Sequence, residues 1–212
     1  MRIMKNIWLL VILGVLTGCV AQQKKDFSAF YAHRPKSIVV VPVLNESPEV
    51  TAAPVFITTI TRPLAEKGYY VFPVYLTDLI LRDFGLVEAG HIHQLPSERF
   101  FELFGADAVL FVTIKDWSTK YIVVNSTVTV EMEYVLKDTK TGLVLWEDKQ
   151  SYVHSSGGGG SLVGMLVSAA INAMITDYLP LARQANFMAL SPPKGIPAGQ
   201  YHPDYMKDQD KF

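Results

Sequence analysis

Between Ser37 and Lys115 short apolar runs alternate with amphipathic ones. Ser37 to Val43 is β-branched and almost wholly apolar, which predicts a buried strand of a parallel or mixed sheet. Asn45-Glu46-Ser47-Pro48 ends it. Thr51 can cap a helix running from Ala52 toward Lys67, with Pro54 in the first turn and Gly68 as the stop. Pro63 lies inside that helix, lacks a backbone donor, and predicts a kink or a second segment. Tyr69 to Val74 reads as a second strand, cut short by Pro73. Thr77 or Asp78 begins another helix through about Leu86, and Pro96-Ser97 opens one through Phe104 that Gly105 stops. Ala108 to Lys115 is a third apolar strand. The order β-α-β-α-α-β predicts parallel pairing through right-handed crossovers.

The period then changes. From Tyr121 to Leu136 the chain alternates, with Ile122, Val124, Val128, Val130, Met132, Tyr134 and Leu136 on one face. Val123, Asn125, Thr127, Thr129, Glu131 and Glu133 fall on the other. This predicts one long strand with one wet side. Asp138-Thr139-Lys140-Thr141-Gly142 is a turn, and Leu143 to Val153 returns as an antiparallel partner, with Val144 and Trp146 on one face against Leu145 and Glu147 on the other. A Ser/Gly run, 155–161, reads as a hinge. Leu162 to Leu190 is a long helical stretch, bent or broken at Pro180 and nearly apolar all round in its first half. Gly164, Ser168 and Asn172 form a small-residue seam along it that permits close approach of another backbone. Residues 191–212 are rich in Pro, Gly and charge and read as an extended tail. The expected fold is α/β: a mixed sheet flanked by helices, with one long antiparallel hairpin and a long C-terminal helix.

The first residues follow a different logic. Arg2 and Lys5 precede an apolar run from Ile7 to Leu16, the layout of a secretory signal peptide. That run is shorter than the roughly 20 residues a bilayer span needs. Leu16-Thr17-Gly18-Cys19 resembles the bacterial lipobox, which implies acylation of the Cys19 sulfur, cleavage before Cys19 and acylation of the new amine. Val20, not Asp, follows, which points to the outer membrane. Two or three acyl chains make such an anchor effectively permanent. The expected division is signal peptide 1–18, lipidated tether 19–36, one α/β domain 37–190 and tail 191–212.

Removing residues 1–18 leaves 194, enough for one domain with a sizeable core. Formal net charge is −1, and −3 without Arg2 and Lys5, so no basic face for nucleic acid is expected. Cys19 is the only cysteine, which leaves no internal disulfide. The Gly157–Gly160 run lacks the lysine and hydroxyl of a phosphate loop, so a hinge is the better reading. His91 and His93 lie two apart, but no third ligand stands at motif spacing. Glu131 and Glu133 share a strand face, and on a wet face such carboxylates are ordinarily solvated. No cofactor or metal is expected.

Three segments carry a resemblance: Leu64-Ala65-Glu66-Lys67-Gly68-Tyr69-Tyr70-Val71-Phe72-Pro73, Phe104-Gly105-Ala106-Asp107-Ala108-Val109-Leu110, and Asp138-Thr139-Lys140-Thr141-Gly142 leading to Leu145-Trp146. In their order and spacing, from about Ile38 to Met188, they resemble a bacterial outer-membrane lipoprotein family that includes a meningococcal surface-exposed antigen. That family is related in fold to the periplasmic domain of the curli-secretion channel lipoproteins and to the N-terminal domain of the Tol translocation protein. The resemblance implies a sheet flanked by helices and brings no catalytic motif. Only one long hairpin is legible, with a wet face too polar to meet lipid, so pore formation is not expected. The expected role is a non-enzymatic, lipid-anchored outer-membrane component of an envelope transport or secretion assembly. Its expected partners are the bilayer through acylated Cys19, other envelope proteins such as a curli-channel-like lipoprotein, and further copies of itself. The expected contact surfaces are the hairpin, the tail and the last helix, through Trp146, Gly164, Ser168 and Asn172. The rival is a small-ligand-binding or hydrolytic domain using the loops at Asn45–Pro48 and His91–His93.

Overall fold

The structure is a computed structural model that describes residues 25–122, 125–155 and 178–212. In chain order the elements are α1 (Ser28–His33), β1 (Ser37–Val40), β2 (Leu44–Asn45), α2 (Ala52–Glu66), β3 (Tyr70–Val71), α3 (Val74–Asp83), α4 (Ala89–Ile92), α5 (Glu98–Phe104), β4 (Ala108–Ile122), β5 (Asn125–Asp138), β6 (Val144–Ser155), α6 (Leu179–Leu190) and a 3-10 turn at Gln209–Lys211. The sheet runs β3-β1-β4-β5-β6, with β2 also beside β4. β1 pairs parallel with β3 and β4, as the continuous apolar runs predict.

The sheet separates two cores. Ile38, Val40, Leu110 and Val112 face α2, α6 and α1, whereas Val39, Val41, Val109 and Phe111 face Leu81, Ile92 and Phe100 of α3, α4 and α5. A strand buried on both faces must be apolar where it is covered, and Ile38, Val39 and Val40 of β1 are.

β4 departs from the expectation. It does not stop at Lys115 but continues to Ile122 and pairs antiparallel with β5 along its length. Tyr121 and Ile122 therefore belong to β4, and Val123 and Val124 lie outside the described residues. There are two long antiparallel pairings, not one. The cause is a bulge: Ile114 faces Met132 and Asp116 faces Glu131, leaving Lys115 unmatched. One extra residue reverses the parity of the strand. Even-numbered Ile114 and odd-numbered Trp117 thus enter the same core. A second irregularity, between Leu136 and Lys137, passes over Leu145, so Leu145 and Trp146 are both buried while Val144 is exposed. The strict alternation expected there does not hold.

The helices follow their signals with local adjustments. Thr51 stands at the N-cap of α2, but its hydroxyl donates to Glu49 (2.7 Å) and makes no cap. α2 is one helix through Pro63 and ends before Gly68, whose φ is +86°. Pro180 sits in the first turn of α6, where its missing N–H costs nothing. A buried polar chain ties both helices to the sheet. The Tyr134 hydroxyl donates to Asn186 Oδ1 (2.8 Å), the Asn186 amide donates to Thr59 Oγ1 (2.8 Å), and the Thr59 hydroxyl donates to the Phe56 carbonyl (2.6 Å).

The resembling motifs close the base of the sheet. The Asp107 carboxylate accepts from the backbone of Lys36 (2.9 Å) and Ser37 (3.2 Å), joining β1 to β4. The Asp138 carboxylate accepts from Lys140 N, Thr141 N and the Thr141 hydroxyl, which shapes the turn, and Thr139 N donates to the Asp107 carbonyl (3.0 Å). Residues 191–212 are packed here, not extended free of the domain. Ile196, Ala198 and Phe212 are buried, Tyr69 donates to the Pro197 carbonyl (2.6 Å), and Asp208 accepts from Ala198 N (2.7 Å). α1 lies against them, with the Phe27 ring centred 4.9 Å from that of Phe212. Hydrogen bonds and aromatic burial outweigh a composition that reads as tail-like.

Candidate interaction surface

α2 and α3 part beyond the end of β1 and leave a groove of about 470 Å³. Val43, Ala53, Pro54, Ile57, Val74 and Tyr75 line it. Its charged rim, Asp78 and Arg82, is an ion pair at 2.7 Å and so self-satisfied. The apolar surface continues outward. Tyr75 is 70% exposed, Leu76 51% and Leu79 39%, and Phe84 and Val87 beyond the helix are also exposed. Sequence reasoning missed this surface by starting the helix at Thr77 or Asp78. Thr77 N donates to the Pro73 carbonyl (3.0 Å), so the helix begins at Val74. Ten residues then carry more apolar side chains than the buried stripe of Thr77 and Leu81 uses. The run Val74-Tyr75-Leu76 was the available signal.

The surfaces expected from sequence fare differently. Cys19, Gly164, Ser168, Asn172, the run Gly157–Gly160 and the helical stretch before Tyr178 lie outside the described residues. Trp146 is not a contact surface. It is 2% exposed, donates from Nε1 to the Lys194 carbonyl (2.7 Å), and carries the Lys25 ammonium over its ring. The tail it was grouped with is what buries it.

His91 and His93 do not converge. His91 is exposed on α4, whereas His93 lies at 2.9 Å from the Pro42 carbonyl and edge-on to Phe111. Asn45 spends its amide on the Glu49 carbonyl and its oxygen on Ser47. His93 and Asn45 are thus satisfied within the fold, and His91 stands apart from both. Glu133 accepts from Lys149 (2.5 Å) with Lys115 at 3.6 Å, and Lys115 also meets Glu46 at 2.7 Å. The Lys149 hydrogen bond holds the Glu133 carboxyl below its ordinary range. Among the described residues no three His, Cys, Asp or Glu stand together to hold a metal. No helix among them is long and apolar enough to cross a membrane.

His93 makes stability pH-dependent. Burial lowers its pKa below the ordinary 6.5, against the smaller opposing effect of the Pro42 carbonyl. The unfolded chain then binds the proton more readily, so stability is lost as pH falls from about 6.5 toward the lowered folded value. His93→Gln keeps a donor for Pro42 without titrating. Its melting temperature should fall less between pH 7.5 and 5.5 than that of the parent, and an equal fall would exclude His93 as the cause.

These features define a mixed α/β sheet domain between two helical layers, with an exposed apolar surface on α3. The chain belongs to the GNA1162-like family: the model described as "Putative lipoprotein GNA1162-like" matches residues 25–191. A lipoprotein of Neisseria meningitidis serogroup B, NMB1124/NMB1162, is 35% identical over 215 residues, covering 95% of this chain and 99% of the relative. The crystal structure of lipoprotein GNA1162 from Neisseria meningitidis superposes with a TM-score of 0.56 at 37% identity, covering 68% of this chain and all of that one. The PelC dodecamer from Paraburkholderia phytofirmans is a more distant likeness, with a TM-score of 0.49 at 16% identity over 81% of this chain and 94% of that one.

Proposed function

We propose that this chain is an outer-membrane lipoprotein, held by acyl chains on Cys19, whose domain binds other envelope proteins and catalyses no reaction. It would serve a transport or secretion assembly as a docking component. The observation that carries this reading is the exposed apolar face of α3 beside its groove. Tyr75, Leu76 and Leu79 leave water only if a partner covers them, and apolar patches of this kind mark interaction sites. The lipoprotein family supports the anchor, and the self-satisfied polar groups around His93 and Asn45 favour docking over small-ligand chemistry.

The test is affinity purification of the lipidated protein from envelope, followed by mass spectrometry. Tyr75→Asp with Leu79→Asp should remove the co-purifying proteins while leaving the melting temperature nearly unchanged, because both side chains are exposed. Cys19→Ser should abolish membrane retention of a folded domain. A monomer with no partner by cross-linking and light scattering, or a partner indifferent to the α3 variant, would overturn the reading.

A further inference from the structure

We infer that the base of the sheet faces the lipid headgroups and that the long strands β4, β5 and β6 extend away from them. The inference rests on the proposed acylation of Cys19. Its own evidence is how firmly Lys25, six residues after Cys19, is held to the body.

Lys25 is fixed to the body. Its ammonium donates to the Glu147 carbonyl and lies 5.2 Å from the centroid of the Trp146 ring. Two residues on, Phe27 is buried against Phe212. The anchor therefore cannot draw out α1 without opening the base, and Lys25 follows Cys19 by only six residues. Six residues span at most roughly 20 Å even if fully extended. The point where Lys25 meets the domain is thus within about that distance of the acyl chains, whatever path the link takes.

The strands set the opposite end. Lys25 meets β6 at Glu147, which is opposite Val135 on β5. From Val135 the strand continues to Asn125, ten residues or roughly 33 Å away at strand rise. The distal ends of β4, β5 and β6 therefore lie farther from Lys25 than the link itself can reach. A link this short keeps the base at the membrane, and with the strands rising from that base the hairpin end projects into the aqueous compartment. The partner surface on α3 must then be reached by proteins within a domain's height of the same membrane, not by proteins across the envelope.

Energy transfer tests this on the full acylated protein. Cys19 is the only native cysteine, and acylation consumes its thiol, so one introduced cysteine takes one dye. Gln209→Cys labels the base, where Gln209 and Lys25 line the same hollow, and Val153→Cys labels an exposed site on distal β6. In vesicles of phosphatidylethanolamine and phosphatidylglycerol with acceptor-labelled headgroups, transfer from position 209 should exceed that from position 153 by about twofold or more, given the strand length between them. Equal transfer, or greater transfer from position 153, would overturn the orientation. Separately, a mature N-terminus without acyl groups, or Cys19→Ser protein that stays on the vesicles, would overturn the anchor itself.

Discussion

Asn186→Leu should cost about 2–4 kcal/mol of folding stability, the larger share from what it leaves behind. Tyr134 is fully buried and donates its hydroxyl to Asn186 Oδ1. Burial already drives that phenol's pKa far up, a sign of how little else solvates it. With a methyl group in place of the acceptor, the hydroxyl loses its main partner, and an unmet buried polar group costs about 1–3 kcal/mol. Thr59 loses a donor but keeps its bond to Phe56, so its share is smaller. Urea unfolding is the measurement, with the midpoint falling and the slope unchanged. Adding Tyr134→Phe removes the stranded hydroxyl, so the double variant should be more stable than the sum of the single losses predicts. Strict additivity would mean that the polar chain does not join α6 to the sheet energetically.

Gly68→Ala should be as damaging, and locally so. At φ +86° any side chain is strained, and an added Cβ would stand 2.7 Å from the His202 Cβ and closer still to the His202 nitrogen. The neighbouring carbonyls hold the C-terminal segment: Lys67 accepts from Gly199 N (2.8 Å) and Gly68 from Tyr201 N (3.1 Å). The methyl must break these bonds or displace the backbone, at an expected cost of about 3 kcal/mol or more. Gly105 is the control. It has φ +64° but nothing within 4 Å of an added Cβ, so Gly105→Ala should cost only about 1 kcal/mol. Limited proteolysis should release residues 196–212 in the Gly68 variant and leave them intact in the Gly105 variant. Equal behaviour would mean that conformational strain, not the close approach, makes glycine necessary at position 68.

Periodicity was informative wherever one face of a regular element met one core. Val128, Val130, Met132, Tyr134 and Leu136 alternate in sequence and are all buried in the same core. Gly105 stops α5 in the left-handed conformation as its position suggests. The reading failed where parity broke or partners were remote. The bulge at Lys115 moves Trp117 to the opposite parity, which hid the second half of β4 behind Asp116 and Ser118. The C-terminal segment owes its order to bonds across the chain, such as Tyr69 to Pro197 and Trp146 to Lys194, which no local pattern encodes. The α3 surface was hidden by a boundary error of three or four residues, and the fold explains that shift through the N-cap position of Pro73.

The contact between Phe27 and Phe212 also bears on timing. A chain synthesised from its N-terminus presents Phe27 long before residues 196–212 are available to cover it. Tyr69 and Trp146 likewise wait for the carbonyls of Pro197 and Lys194. Such long separations slow closure and keep early intermediates open. The base of the sheet therefore closes late, only once residues 196–212 are present to cover Phe27 and to accept from Tyr69 and Trp146.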